Sequence, residues 1–316
     1  MIMNIKKPKF WDYKKPNFLS YLFFPISNIL QLLNFLKFKI TPVKKFSTIK
    51  TICVGNIYLG GTGKTSLSLK INKILNKKKI KSCFIKKDYS NQLDEQKILE
   101  KNGKLFKANH RTDAITQAER NDYKVAILDD GLQDPSINCN LNIVCFNNLN
   151  WAGNGLTIPS GPLRENLKNI KKYAHVFLNG NMENLNDIKN TILKIDSNIK
   201  IYVGKYVPLN LNDFDKNSNY LAFSGIGNHK TFVSMLKKNN LKVIKDIEFP
   251  DHYEYSKNDI DQIISVSKVI DCKIITTEKD FYRLDKFNLD QIKVLKSELE
   301  IINEKEFLET LNMIYE

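Results

Sequence analysis

The sequence predicts an α/β fold: a parallel sheet with helices on both faces, then a smaller C-terminal α/β domain. Three patterns support this. Apolar, β-rich runs alternate with helical patterns from residue 51 onward. A glycine-rich loop joins the first such strand to the first such helix. After Asn- and Asp-rich stretches at 179–190 and 210–219, which read as surface connections, the alternation resumes. A parallel sheet needs a crossover between successive strands, and an intervening helix supplies it.

In chain order, the apolar stretch Phe18–Leu36 comes first. It is about long enough to span a bilayer, but Pro25 interrupts it and Ser20, Ser27, Asn28, Gln31 and Asn34 punctuate it. At 3.6 residues per turn, Ser20, Ser27, Gln31 and Asn34 fall close to one line, leaving a wide face of Leu, Ile and Phe. Lys14, Lys15, Lys37 and Lys39 flank it, with Trp11, Tyr13 and Tyr21 near one end. This pattern predicts an amphipathic, membrane-associating helix lying in the interface, over a segment 1–45. The other reading is a helix packed on the protein's own core. Strands are expected at 51–55, 82–85, 125–128, 141–146 and 176–178, with helices at 64–76, 114–121 and 163–172 between them. Together these make one domain over 46–205. Strands at 220–223, 242–249 and 273–277, with helices at 230–238, 258–269 and 304–315, make a second over 206–316.

With 316 residues and 42% apolar composition, the chain can bury a large core. Lys and Arg outnumber Asp and Glu 49 to 34, a net +15 that favours anionic partners without choosing among them. The basic residues are dispersed and no nucleic-acid module stands out, which argues against a nucleic-acid-binding protein. The sequence singles out no protein partner. None of the five cysteines falls in a CxxC pair or at metal-ligand spacing, so they read as small core residues in a reducing compartment. No secretory signal is evident.

The chemistry begins after the strand Ile52-Cys53-Val54-Gly55. The loop Tyr58-Leu59-Gly60-Gly61-Thr62-Gly63-Lys64-Thr65 opens a helix at its last two residues. Glycines let backbone N–H groups curl around a phosphate, and the helix N-terminus adds partial positive charge. Lys64 can reach the β- and γ-phosphates of ATP, and the Thr65 hydroxyl can ligate Mg2+. The first glycine of the strict P-loop pattern is replaced by Tyr58. Val125-Ala126-Ile127-Leu128 ends in Asp129-Asp130, two carboxylates at the strand edge where open α/β sheets bind ligands. The first domain is therefore expected to be P-loop NTPase-like, and the function a Mg-ATP phosphoryl transfer.

Six ordered motifs sharpen this: Val54-Gly55-Asn56 before the loop, Asp129-Asp130-Gly131-Leu132-Gln133, Asn154-Gly155 with Pro159-Ser160-Gly161-Pro162-Leu163-Arg164-Glu165, Ala222-Phe223-Ser224-Gly225-Ile226-Gly227, Phe249-Pro250-Asp251-His252, and Thr277-Glu278-Lys279-Asp280. Together they resemble the tetraacyldisaccharide 4′-kinases, and the resemblance covers nearly the whole chain. It implies ATP-dependent phosphorylation of the 4′-hydroxyl of an anionic glycolipid, tetraacyldisaccharide 1-phosphate, giving lipid IVA. It also implies peripheral, monotopic attachment to the cytoplasmic face of the inner membrane. The family's base is an Asp-His pair. His252 matches the histidine, and Asp94, in Leu93-Asp94-Glu95-Gln96, is the candidate acid, with Asp251 the alternative partner. Glu165 joins Thr65, Asp129 and Asp130 as a candidate metal residue, and Gln133, Arg164 and Asp251 are candidate substrate contacts. Two departures stand out: Lys86-Lys87-Asp88-Tyr89 replaces the usual Ser-Arg-Gly-Tyr, and Asp134 follows Gln133 where His is usual. The alternative function is a P-loop ATPase or GTPase acting as a switch or metallochaperone, for which 277–280 imitates a base-reading motif with Glu278 in the way.

Overall fold

A computed structural model describes residues 7–88, 93–284, 287 and 290–315. The N-terminal helix α1 (Phe18–Ile40) precedes strand β1 (Lys50–Gly55) and helix α2 (Lys64–Lys77). There follow β2 (Ser82–Lys87), α3 (Leu93–Asn102), β3 (Leu105–Ala108), α4 (Arg111–Arg120), β4 (Val125–Asp129), β5 (Leu141–Asn147), β6 (His175–Asn179), α5 (Leu185–Ile195) and β7 (Lys200–Pro208). The second unit holds β8 (Asn219–Ser224), α6 (His229–Lys238), β9 (Lys242–Glu248), α7 (Lys257–Val269), β10 (Lys273–Thr277), α8 (Glu278–Leu284) and β11 (Ile292–Leu295). The chain ends with β12 (Ser297–Ile301) and α9 (Glu304–Tyr315).

The larger sheet has the order β12-β7-β6-β5-β1-β4-β2-β3 and is parallel except for β12, which runs antiparallel to β7. Strand β1 sits between β5 and β4, so its C-terminal end opens at the reversal of strand order where ligands bind in such sheets. Alternate residues of β1 feed two cores. Cys53 packs with Ala114, Ile115 and Ile188 on one face, and Ile52 and Val54 with Leu67, Ile71 and Phe307 on the other. Helices therefore cover both faces, as the near-continuous apolar strands require. The smaller sheet, β11-β10-β8-β9, is wholly parallel.

Several boundaries differ from the sequence reading. The chain returns to the larger sheet at its end: β12 pairs with β7, and Phe307 of α9 packs edge-on against Phe177 and Tyr202. Residues 297–315, expected in the second domain, are thus built into the first, because the free edge of β7 and the apolar face below it need covering. The helix expected over 163–172 is only a 3-10 turn at Leu167–Lys172. Leu163 is held extended by bridges to Tyr58 and Thr157, and Arg164 N–H donates to Ile57 O at 2.6 Å, so those backbone groups cannot join a helix. The polar stretch at 179–190 contains the start of α5, whose Ile188 and Ile192 supply the buried face.

Helix α1 is turned the opposite way from an ordinary amphipathic helix. Ser20 and Ser27 are fully buried, whereas Phe18 and Leu22 are 78% and 58% exposed. The stripe meets the segment 154–164: Asn154 Nδ2 donates to Ser20 Oγ at 3.0 Å, Ser27 Oγ lies 2.8 Å from Ser160 Oγ, and Gln31 Nε2 donates to Arg164 O at 3.0 Å. The helix is long and apolar enough to cross a membrane by length and composition.

Candidate active site

The loop leaving β1 is shaped by three glycines. Gly60 and Gly63 have φ of 137° and 78°, where a side chain is strained. At Gly61 the constraint is proximity, since a Cβ would stand 2.7 Å from the backbone of Gly227 in the second unit. Two asparagines hold the loop's carbonyls. Asn56 Nδ2 donates to Tyr58 O and Gly60 O, and Asn179 Nδ2 to Thr62 O. Helix α2 starts at Lys64, so its unpaired N–H groups face the loop. The Tyr58 side chain itself points away, its hydroxyl donating to Asp12 Oδ1 at 2.9 Å, and Leu59 N–H donates to Pro162 O at 2.8 Å. These two residues form the stem of the loop.

Beside this loop, β4 delivers Asp129, which is fully buried. Its carboxylate accepts from Lys86 Nζ at 2.7 Å, from Thr65 Oγ1 at 3.2 and 3.4 Å, and from Ser68 Oγ at 3.3 Å. Asp130 turns into the left-handed region, with φ of 64°, and is gripped in a fork by Arg164 at 2.7 and 3.3 Å. Burial works against its charge, but Lys64 and Arg164 hold its carboxyl below the usual range. Arg164 also donates to Gln133 Oε1 at 3.0 Å, and Gln133 Nε2 donates to Glu165 Oε1 at 3.2 Å. Tyr173 and Asn169 donate to Glu165 as well, so its link to the Asp129–Asp130 corner runs through Gln133 and Arg164. Asp134 is taken up by Arg111 at 3.2 Å.

Across the cleft, the first turn of α3 presents Asp94 and Glu95. Asp94 accepts from His252 Nδ1 at 3.0 Å and from Arg283 Nη2 at 2.6 Å, with Lys279 Nζ at 3.5 Å. Burial opposes its charge, yet His252, Lys279 and Arg283 hold its carboxyl far below the usual range. Asp251, the alternative partner of the histidine, stands 3.9 Å from Nε2. His252 has φ of 59°, and its N–H donates to Gly225 O at 3.1 Å, which aims the ring out of the second unit toward Asp94. An imidazole giving Nδ1–H to a carboxylate keeps Nε2 as its basic nitrogen. Glu95 joins the two halves: it lies 2.6 Å from Lys86, 3.3 Å from Lys279 and 3.7 Å from Lys64. Burial lowers the basicity of Lys64, but Glu95, Asp130 and Asp129 outweigh it and keep the ammonium charged.

A cavity of about 890 Å³ opens from the loop between α2, α3 and the second unit, bordered by Lys64, Leu69, Ile226, Phe232 and Lys279. Its size suits a nucleotide. Of the residues sequence reasoning found, Lys64 and Thr65 border this cavity; Asp129 lies behind Thr65 with Asp130 and Arg164 beside it, and the Asp94–His252 pair is joined to Lys64 through Glu95. Sequence reasoning missed Ser68, Lys86, Glu95, Lys279 and Arg283 as contributors. Glu95 adjoins Asp94 and Lys86 is the penultimate residue of β2, so position alone could have flagged both. Lys279 and Arg283 lie four apart on one helical face, a weaker signal. Tyr89 lies outside the described residues. Asp280 is fully buried, accepting from Gly225 N–H, Tyr255, Thr277 and Arg283. Its carboxylate is spent inside the second unit, which removes the support that 277–280 lent to a GTPase.

Comparison with known proteins agrees with this geometry. The family model for LpxK, tetraacyldisaccharide-1-P 4'-kinase, matches residues 19–316. A tetraacyldisaccharide 4'-kinase of Pelagibacter ubique is 59% identical over 96% of this chain and 96% of its own length. One of Rickettsia typhi is 32% identical over 94% of each. The crystal structure of LpxK from Aquifex aeolicus in complex with ATP superposes with a TM-score of 0.65 at 21% identity, covering 94% of this chain and 100% of that one, and so shares the fold. With the family model matching residues 19–316 and these relatives 59% and 32% identical over nearly their full lengths, this chain belongs to the tetraacyldisaccharide-1-P 4'-kinase family.

Proposed function

We propose that this chain transfers the γ-phosphoryl group of ATP to the 4′-hydroxyl of tetraacyldisaccharide 1-phosphate, giving lipid IVA and ADP. The observation that carries this reading is that Lys64 at the loop and the Asp94–His252 pair face one cleft, bridged by Glu95. His252 Nε2 takes the proton of the acceptor hydroxyl as its oxygen attacks the γ-phosphorus and the bond to the ADP oxygen breaks. Asp94 fixes the ring and balances the imidazolium that forms. Lys64 and Arg164 neutralise charge on the phosphoryl oxygens, and positioning does most of the rest.

A magnesium ion fits the donors present. Thr65 and Asp129 offer only oxygen atoms, the hydroxyl of Thr62 is buried without a partner among the described residues, and oxygen donors suit a hard cation. No cluster of three or more His, Cys, Asp or Glu able to hold a metal occurs among the described residues, so the ion would arrive on the nucleotide's phosphates. Thr65 and Asp129 would hold it, with Asp130 behind them, and it would supply charge neutralisation at the β- and γ-phosphates. The outward apolar face of α1, ending in Lys37 and Lys39, supports peripheral attachment to the cytoplasmic face of the inner membrane, where a lipid acceptor resides. The test is transfer of radiolabel from [γ-32P]ATP to the disaccharide 1-phosphate in detergent micelles. Label on the lipid is expected, and hydrolysis of ATP without lipid labelling would refute the reading.

A further inference from the structure

Lys86 opens the segment Lys86-Lys87-Asp88-Tyr89 that departs from the family pattern, and its side chain is 1% exposed. Its ammonium stands 2.7 Å from Asp129 Oδ2 and 2.6 Å from Glu95 Oε2, and both carboxylates are buried. A buried ammonium persists only when paired, and this one is paired twice, once with β4 and once with α3. Neither partner is incidental. Asp129 also receives Thr65 and Ser68, and Glu95 adjoins Asp94 and stands within 3.7 Å of Lys64. Lys86 fills the position between the Asp129 and Glu95 carboxylates that a bridging divalent ion would otherwise take. Without it, Asp129 and Glu95 would be two buried carboxylates on either side of one vacated ammonium position.

We propose that Lys86 is a resident counter-ion of Asp129 that keeps free divalent cations out of the phosphate site, so that metal enters only with the nucleotide. Through Glu95 it is also a positioning residue, tying the helix that carries Asp94 to the phosphate-binding sheet. The proposal rests on the kinase reading for its purpose, but its test needs neither nucleotide nor acceptor.

The test is a titration of the full chain with Mn2+ alone, followed by electron paramagnetic resonance. The wild type is expected to show no stoichiometric binding at micromolar Mn2+, and stoichiometric binding there would overturn the proposal outright. Lys86→Met should bind Mn2+ roughly tenfold more tightly or better, because short-range charge terms inside a protein are large. Lys86→Arg, which keeps the charge, should behave like the wild type. A folded Lys86→Met variant with unchanged affinity would refute the idea. If that variant fails to fold, the double variant Lys86→Met/Glu95→Gln preserves the net charge and still strips Asp129 of its ammonium. It should bind Mn2+ more tightly than the wild type, and equal affinity would refute the idea again. A tighter-binding variant in a protein that does not label the lipid would count against the kinase reading and leave this one standing.

Discussion

Two adjacent pairs of acids meet in the cleft, and they are held by different means. Asp129 and Asp130 end a central strand, where the sheet sets their direction, and their partners Thr65, Ser68, Lys86 and Arg164 all belong to the same unit. Asp94 and Glu95 open a helix at the rim, and three of their partners, His252, Lys279 and Arg283, arrive from the second unit. The first pair is built into the fold, whereas the second is assembled only when the two units are together. The difference suits a division of labour: a rigid corner for the nucleotide, which both states of the reaction share, and a closable corner for the acceptor, which must enter and leave.

If that division is right, substitutions on the two sides should fail differently. The largest effect is expected on the nucleotide side, where Lys64→Ala should abolish turnover in the lipid-labelling assay, because Lys64 opens the helix at the loop's end, where the terminal phosphates would be held. Asp94→Asn and His252→Ala should each lower kcat by roughly 10²- to 10⁴-fold, as loss of general-base machinery does. Combined, they should lose little more than the worse single variant, since the pair acts as a unit. Additive losses would separate the two residues. Arg283→Lys, which keeps the charge but not the fork, should cost roughly tenfold in kcat with little change in the KM for ATP. The smallest effect is on stability. Asp94 is ionised more readily folded than unfolded, so its contribution is complete above about pH 4 and is lost as pH falls from there toward its folded value. Acid unfolding of Asp94→Asn should accordingly be less steep below about pH 4 than that of the wild type.

The same contrast explains what could be read from the sequence. The strand–loop–helix and Asp129–Asp130 were legible because their signals are local: apolar runs, glycines at turns, and acids at a strand edge. Eight of the twelve described strands were legible for the same reason, but β3, β7, β11 and β12 were not, and the boundary expected at 205/206 falls inside β7. The fate of 297–315 was not, because the return of β12 to the free edge of β7 is a long-range pairing that no local pattern encodes. The outward apolar face of α1 was expected, but not the partner of its polar stripe. The stripe itself was evident, but that it meets the carbonyls and hydroxyls of 154–164 is a long-range contact no local pattern encodes. On the rim, Asp94 and His252 could be paired only through the family resemblance, being 158 residues apart. Lys86 and Lys279 appeared only as members of motifs and Arg283 not at all, because a lysine or arginine on its own reads as solvated surface.

The division of labour is tested most directly by equilibrium binding of a non-hydrolysable Mg-ATP analogue to Asp94→Asn and Asp129→Asn, measured by calorimetry on folded protein. Asp94→Asn should bind the analogue within a few-fold of the wild type, as an acceptor-side change must, while Asp129→Asn should lose most of its affinity. Intact binding in Asp129→Asn together with lost binding in Asp94→Asn would reverse the roles assigned to the two pairs and contradict the account.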